Sequence, residues 1–199
     1  MEYGPLERLK FPIRDFILRH ARGPHATWFL SVMSAVESIF SPVPLEVVLG
    51  PLVVARPSRW LYFGCVATLW SVIGALVGYW IGYALYDAVG AGIVSWYGLT
   101  DNVYEAARLL EEHMFSATLI SAFTPIPYKV FVLTAGVLKG QLVVFIAASI
   151  IGRGARFLLF AYLVHRFGAA LAQLVFRYFT VATIAAVLVA IIGGVFLYF

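Results

Sequence analysis

Long apolar stretches alternate with short polar gaps along this chain. Three stretches, Trp60–Tyr86, Gln141–Val164 and Tyr178–Phe199, run far enough without a proline to be helices that cross a bilayer, for which roughly 20 apolar residues are needed. Two others, Thr27–Ala55 and Ser116–Leu138, are broken in their interiors by the same device. The first carries Ser41-Pro42-Val43-Pro44-Leu45-Glu46 and the second Thr124-Pro125-Ile126-Pro127-Tyr128-Lys129. Pro42 matches Pro125, Pro44 matches Pro127, and Glu46 matches Lys129 with the opposite charge. Apolar pieces of about a dozen residues are too short to span and suit re-entrant segments. Backbone groups freed at such prolines must face protein or water, not lipid. The pattern predicts two re-entrant helical hairpins, over 27–55 and 115–138.

The polar gaps add two amphipathic helices. Over Pro5–His20, Leu6, Leu9, Ile13, Phe16, Ile17 and His20 share one face and Arg8, Lys10, Arg14 and Arg19 the other, as in a helix lying in the headgroup region. The connection Asp87–His113 is acidic, and Asp101–Met114 again has helical periodicity. The predicted organisation is therefore an interfacial helix in 1–26, a core in 27–177 and a last transmembrane helix in 178–199. Within the core come the hairpin 27–55, a span 60–86, the polar connection with its helix 87–114, the hairpin 115–138 and a span 141–165. The class is an all-α, multi-pass membrane protein. The first apolar run follows a charged segment and is too long for a signal-peptide core, so no cleaved leader is expected.

Composition agrees. The chain is 62% hydrophobic and 12% charged, far from the roughly 25% charged residues of a soluble domain. With 14 Lys and Arg against 10 acids, the excess cation reports on orientation and anionic headgroups, not on nucleic acid. If both broken segments return to the side they entered from, Arg56, Arg59, Arg166 and Arg177 join the basic N-terminus on one side, which is then cytoplasmic. The hairpins enter from opposite faces, giving the inverted-topology repeat of many transporters.

Glu37, Glu46, Lys129, Arg153 and Arg156 lie inside apolar stretches. Each costs about 2.5–3.5 kcal/mol at mid-membrane unless it meets a partner or a cavity. Two readings stand. Glu46 pairs with Lys129 and Glu37 with an arginine, purely to hold the hairpins together. Alternatively, two acids against three bases leave a cation for an anionic headgroup, bound by Lys129, Arg153 and Arg156, while Glu37 and Glu46 exchange protons. Guanidinium forks suit phosphate oxygens, and helix N-termini at the proline turns add donors. Gly74, Gly78 and Gly82 recur every fourth residue, a spacing for close helix packing, for a lipid groove, or for a homodimer. The single cysteine, Cys65, permits no intrachain disulfide. The histidines His20, His25, His113 and His165 have no metal-ligand spacing, and no metal or other cofactor is expected.

The segments Glu37–Glu46, Thr124–Phe131, Ala135-Gly136 and Gly152-Arg153-Gly154-Ala155-Arg156-Phe157 resemble the DedA superfamily (the VTT or SNARE-associated domain), in its short YqaA-like branch. The resemblance covers about Trp28–Phe167. It implies two inverted re-entrant hairpins in an inner membrane and a role in moving lipids across it. Bacterial members are tied to recycling a polyprenyl-phosphate carrier and to proton-dependent envelope homeostasis, and eukaryotic relatives are scramblases. By motif position the functional residues here would be Glu37, Glu46, Arg153 and Arg156. The chain departs from the better-studied pattern in the second hairpin, where Ala122–Lys129 keeps one basic residue, as lysine.

The leading expectation is a flippase or scramblase for a phosphate-bearing lipid. The alternatives are a proton-coupled small-ion transporter and a structural assembly protein. A membrane enzyme is not expected: there is no Asp-Gly…Ala-Arg…Asp set, no Ser-Gly-His and no Gly-x-Ser-x-Gly.

Overall fold

A computed structural model of the chain describes residues 25–39, 44–96, 100–124 and 128–168. The expected interfacial helix, the turn prolines Pro42, Pro125 and Pro127 and the last span 178–199 lie outside the described residues. Every regular element among those described is helical. In order they are α1 (Ala26–Ile39), α2 (Glu46–Ala55), a 3-10 turn (Pro57–Arg59), α3 (Trp60–Leu85), a π-helical turn (Tyr86–Gly90), α4 (Ala91–Trp96), α5 (Thr100–Phe123), α6 (Tyr128–Val137) and α7 (Leu142–Phe167).

Among the described helices, α3 and α7 are the two long and apolar enough to cross a membrane. Each has 26 residues, about 39 Å at 1.5 Å per residue, against a hydrocarbon core of about 30 Å. They run antiparallel. Gly64 meets Leu158, Thr68 meets Gly154, and Ser71 meets Arg153. Each long helix carries a shorter one in its own direction. Ser34 and Ser38 of α1 meet Ala67 and Ser71 of α3, while Leu119 and Thr124 at the end of α5 meet Gly152 and Arg156 of α7. The remaining short helices cross over between the halves. α6 packs along α3, with Val132 at Gly78 and Gly136 at Tyr79, and α2 packs on α7.

The helices α2 and α3 of the first half correspond to α6 and α7 of the second. The same sequence interval separates Glu46 from Tyr128, Trp60 from Leu142 and Ser71 from Arg153, and α2 matches α6 in length as α3 matches α7. Because α3 and α7 point opposite ways, the halves are inverted copies about an axis through the Ser71–Arg153 contact. In this helix register Glu46 corresponds to Tyr128, one residue away from the Lys129 that the proline register selects.

Small residues permit the approach. A methyl group on Gly74 would lie 2.2 Å from the Ala35 carbonyl oxygen, and one on Gly136 would lie 2.0 Å from that of Tyr79. A methyl group on Gly82 would likewise lie 2.3 Å from the Leu133 carbonyl oxygen, and one on Gly78 would lie 2.8 Å from the Val132 side chain. Two apolar cores result. One joins α1 and α2 to the start of α3 and the end of α7, around Leu30, Leu49, Phe63 and Phe157. The other joins α5 and α6 to the end of α3 and the start of α7, around Tyr79, Met114, Val132 and Phe145.

The structure differs from the expected boundaries at α5. The amphipathic helix was expected to end near Met114 and a hairpin arm to begin at Phe115, yet one helix runs through both. No glycine or proline stands between Thr100 and Thr124, so nothing stops the backbone. The change from polar to apolar at Met114 is a change of surroundings, not of conformation.

Candidate functional site

Between the two cores, halfway along α3 and α7, lies a belt of polar side chains. α7 supplies Arg153 and Arg156, three residues apart and so on one face. α1 supplies Glu37 from its last turn, and α2 supplies Glu46 as its first residue. A carboxylate there is favoured by the helix dipole.

Arg153 is fully buried. Its Nε donates to Ser71 Oγ at 2.6 Å, and its Nη2 donates to the Glu37 carboxylate and to Ser38 Oγ. Ser38 and Ser71 also bond each other at 2.7 Å. The guanidinium lies between two rings, 4.8 Å from the centroid of Tyr128 and 4.7 Å from that of Phe157. The Tyr128 hydroxyl donates to Ser149 Oγ at 2.6 Å. Among the described residues, Arg153 Nη1 has no hydrogen-bond acceptor.

Arg156 pairs with the other carboxylate. Its Nε and Nη2 both donate to Glu46 Oε1, at 2.8 and 2.6 Å, and its Nη1 lies 3.5 Å from the carbonyl oxygen of Thr124, just past α5. Glu46 is 3% exposed, and its Oε2 accepts no hydrogen bond from a described residue. Among the described residues, the belt therefore contains one charged group with a spare donor and one with a spare acceptor.

The structure thus brings Glu37, Glu46, Arg153 and Arg156 together. The expected Glu46–Lys129 partnership gives way to Glu46–Arg156, because Arg156 reaches across from α7 to the first turn of α2. Lys129 sits half-buried in the first turn of α6. The two carboxylates neutralise the two guanidiniums, so the surplus cation expected from the sequence does not sit among these four groups. Both acids come from the first half and both arginines from the second, so the ion pairs join the halves. Pro44 precedes α2 outside the belt's hydrogen bonds, and Gly74, Gly78 and Gly82 line the α1 and α6 contacts of α3.

Sequence reasoning missed Ser38, Ser71, Ser149, Tyr128 and Phe157. One signal pointed to the first of these: Ser31, Ser34 and Ser38 recur at helical spacing on an apolar helix, and all three are buried. Hydroxyls in that pattern commonly bond across to a neighbouring helix.

A separate exposed pair closes the α6–α7 connection. Lys139 Nζ lies 2.6 Å from Asp87 Oδ1 and 4.6 Å from the Tyr83 ring centroid. The hydrogen bond to Asp87 holds the Lys139 ammonium above its ordinary range, against a smaller desolvation effect. Lys139 also has φ 54°, a left-handed conformation at the end of α6, where Gly140 N–H reaches the Ala135 carbonyl and Lys139 N–H that of Gly136.

Comparison with known proteins supplies a family. The model of the VTT domain matches residues 43–166. A protein of Haemophilus influenzae described as uncharacterized is 34% identical over 147 residues, 74% of this chain and 76% of that one. A second, from Histophilus somni and likewise described as uncharacterized, is 32% identical over 149 residues, 75% of this chain and 78% of its own. No solved structure matches the chain.

Proposed function

The chain belongs to the VTT-domain (DedA) family of membrane proteins, and from that premise we propose that it moves a phosphate-bearing lipid across the cytoplasmic membrane without catalysing a covalent reaction. α1 with α2, and α5 with α6, act as re-entrant hairpins that enter from opposite faces. The N-terminus is cytoplasmic, since Arg56, Arg59 and Arg166 gather at that end of α3 and α7.

The observation that carries this reading is the neutral, four-charge belt between two inverted halves. A phosphate headgroup reaching Arg156 must displace Glu46. If Glu46 takes up a proton as the phosphate binds, the site keeps zero net charge and avoids the cost of an unpaired ion. Transport is then coupled to proton movement. Arg156 is the exchanging cation because its side chain is 10% exposed, whereas that of Arg153 is wholly buried. Arg153, locked between two rings and two hydroxyls, keeps the belt in place.

Complete pairing of the four charges favours a second reading, in which the belt only fastens the halves together. One experiment separates the two. The protein is reconstituted into liposomes with a labelled polyprenyl phosphate and a labelled phospholipid, with and without a pH gradient. Lipid movement by the wild type and its loss in Arg156→Gln, with the variant shown to be folded, support translocation. Movement of neither lipid by folded wild type rejects it.

A further inference from the structure

We infer that the end of the molecule where α3 begins and α7 ends binds the headgroup of an anionic glycerophospholipid, at a site separate from the buried belt. The Trp60 ring stacks on His165, with centroids 5.9 Å apart and planes at 19°. Its edge meets Tyr162 at 5.5 Å. These contacts pin the first residue of α3 to the last turn of α7, and so bring together cations from both halves. Arg59 and Arg166 flank the stack and are exposed, as is His165. Neither arginine is in an ion pair with a described residue. α1 starts at the same end, with His25 exposed.

Among the described residues the acids lie elsewhere. Glu37 and Glu46 are in the belt, and Asp87 and the acids of α5 are toward the opposite end. The helix dipole explains a cation at Arg166, beside the C-terminal carbonyls of α7, but it opposes one at Arg59, which precedes the N-terminus of α3. Positive-inside orientation brings both cations to this end, and an anionic headgroup bound there would use both.

The surroundings select a lipid over a soluble anion. Leu61, Tyr162 and Phe167 are 52%, 46% and 63% exposed beside the cations. Two guanidinium forks and an aromatic stack above an apolar wall fit a phosphodiester that continues into acyl chains. A free phosphate would use only the forks. The site does not depend on the translocation reading, and its failure would leave that reading untouched.

The test uses the purified, delipidated full-length protein in detergent, titrated with phosphatidylglycerol or phosphatidylcholine and read by native mass spectrometry. The wild type should retain phosphatidylglycerol in preference. Removing each arginine should weaken that preference roughly fivefold, on the scale of a basic residue at an anionic surface, so Arg59→Gln/Arg166→Gln abolishes most of it. Arg108→Gln, at the other end, should leave it intact. If the double variant aggregates, the single variants carry the test at roughly fivefold each. Unchanged preference in the arginine variants, or equal loss in Arg108→Gln, overturns the site. Displacement of the lipid by millimolar inorganic phosphate also overturns it, in favour of a soluble anion.

Discussion

Replacing Arg156 by methionine removes the partner of a carboxylate that is 3% exposed. Breaking a buried pair from one side costs about 3–5 kcal/mol, because the remaining charge is stranded. That is a large share of a stability of about 5–15 kcal/mol. Replacing both partners, in Arg156→Met/Glu46→Leu, strands nothing, and apolar replacements of buried pairs are neutral or stabilising by about 1–4 kcal/mol. The single variant should therefore lose about 3–5 kcal/mol and the double variant should recover most of it. Unfolding in denaturant, followed by tryptophan fluorescence in detergent, reads the stabilities, and the liposome assay reads function on the same preparations. A double variant as stable as wild type but inert in transport separates the belt's chemistry from its adhesion. A double variant as unstable as Arg156→Met refutes the reasoning about a stranded Glu46. A stable double variant that still transports makes this pair structural.

Other expectations follow from the same geometry. Arg153→Lys keeps the charge but loses the fork that serves Ser71, Ser38 and Glu37 together and the planar fit between Tyr128 and Phe157; a cost of about 2–3 kcal/mol is expected in denaturant unfolding. Gly74→Ala drives a methyl group into the Ala35 carbonyl, and backbone cannot yield as a flexible side chain does, so about 1–3 kcal/mol or more should be lost from the melting profile. Lys139 is raised by Asp87, so its contribution is fully present below the unfolded lysine range and is lost as pH rises through the folded one. The melting-temperature gap between wild type and Lys139→Met should therefore close above the ordinary lysine range, and a gap that widens there contradicts the assigned partner.

Much of this arrangement is legible in the residues. The paired proline motifs and the equal runs predict a doubled architecture, and Glu37, Glu46, Arg153 and Arg156 stand out because charge in an apolar run demands a partner. Which acid meets which base is not legible. It depends on α7 crossing α2 near Arg156 and crossing α3 at Arg153, and those crossings are set by small residues such as Gly74 and Gly152 whose neighbours lie far away in sequence. The aromatic sandwich was hidden for a similar reason. Tyr128 and Phe157 look like ordinary apolar filling until the guanidinium between them is placed. The continuity of α5 was hidden because a change of polarity was read as a change of backbone.

The Ser71–Arg153 contact sits where the two halves are equivalent, and that has a consequence for how such a molecule could arise. Two identical half-length chains, paired about the same axis, would place the same residue on both sides of this contact. Two arginines would repel each other away from water, and two serines would leave both glutamates without a partner. Joining the halves in one polypeptide lifts that restriction, letting one copy keep the hydroxyl while the other takes the guanidinium. The polarity of the belt, with acids from one half and bases from the other, is therefore open to a single fused chain and closed to a symmetric pair of its halves.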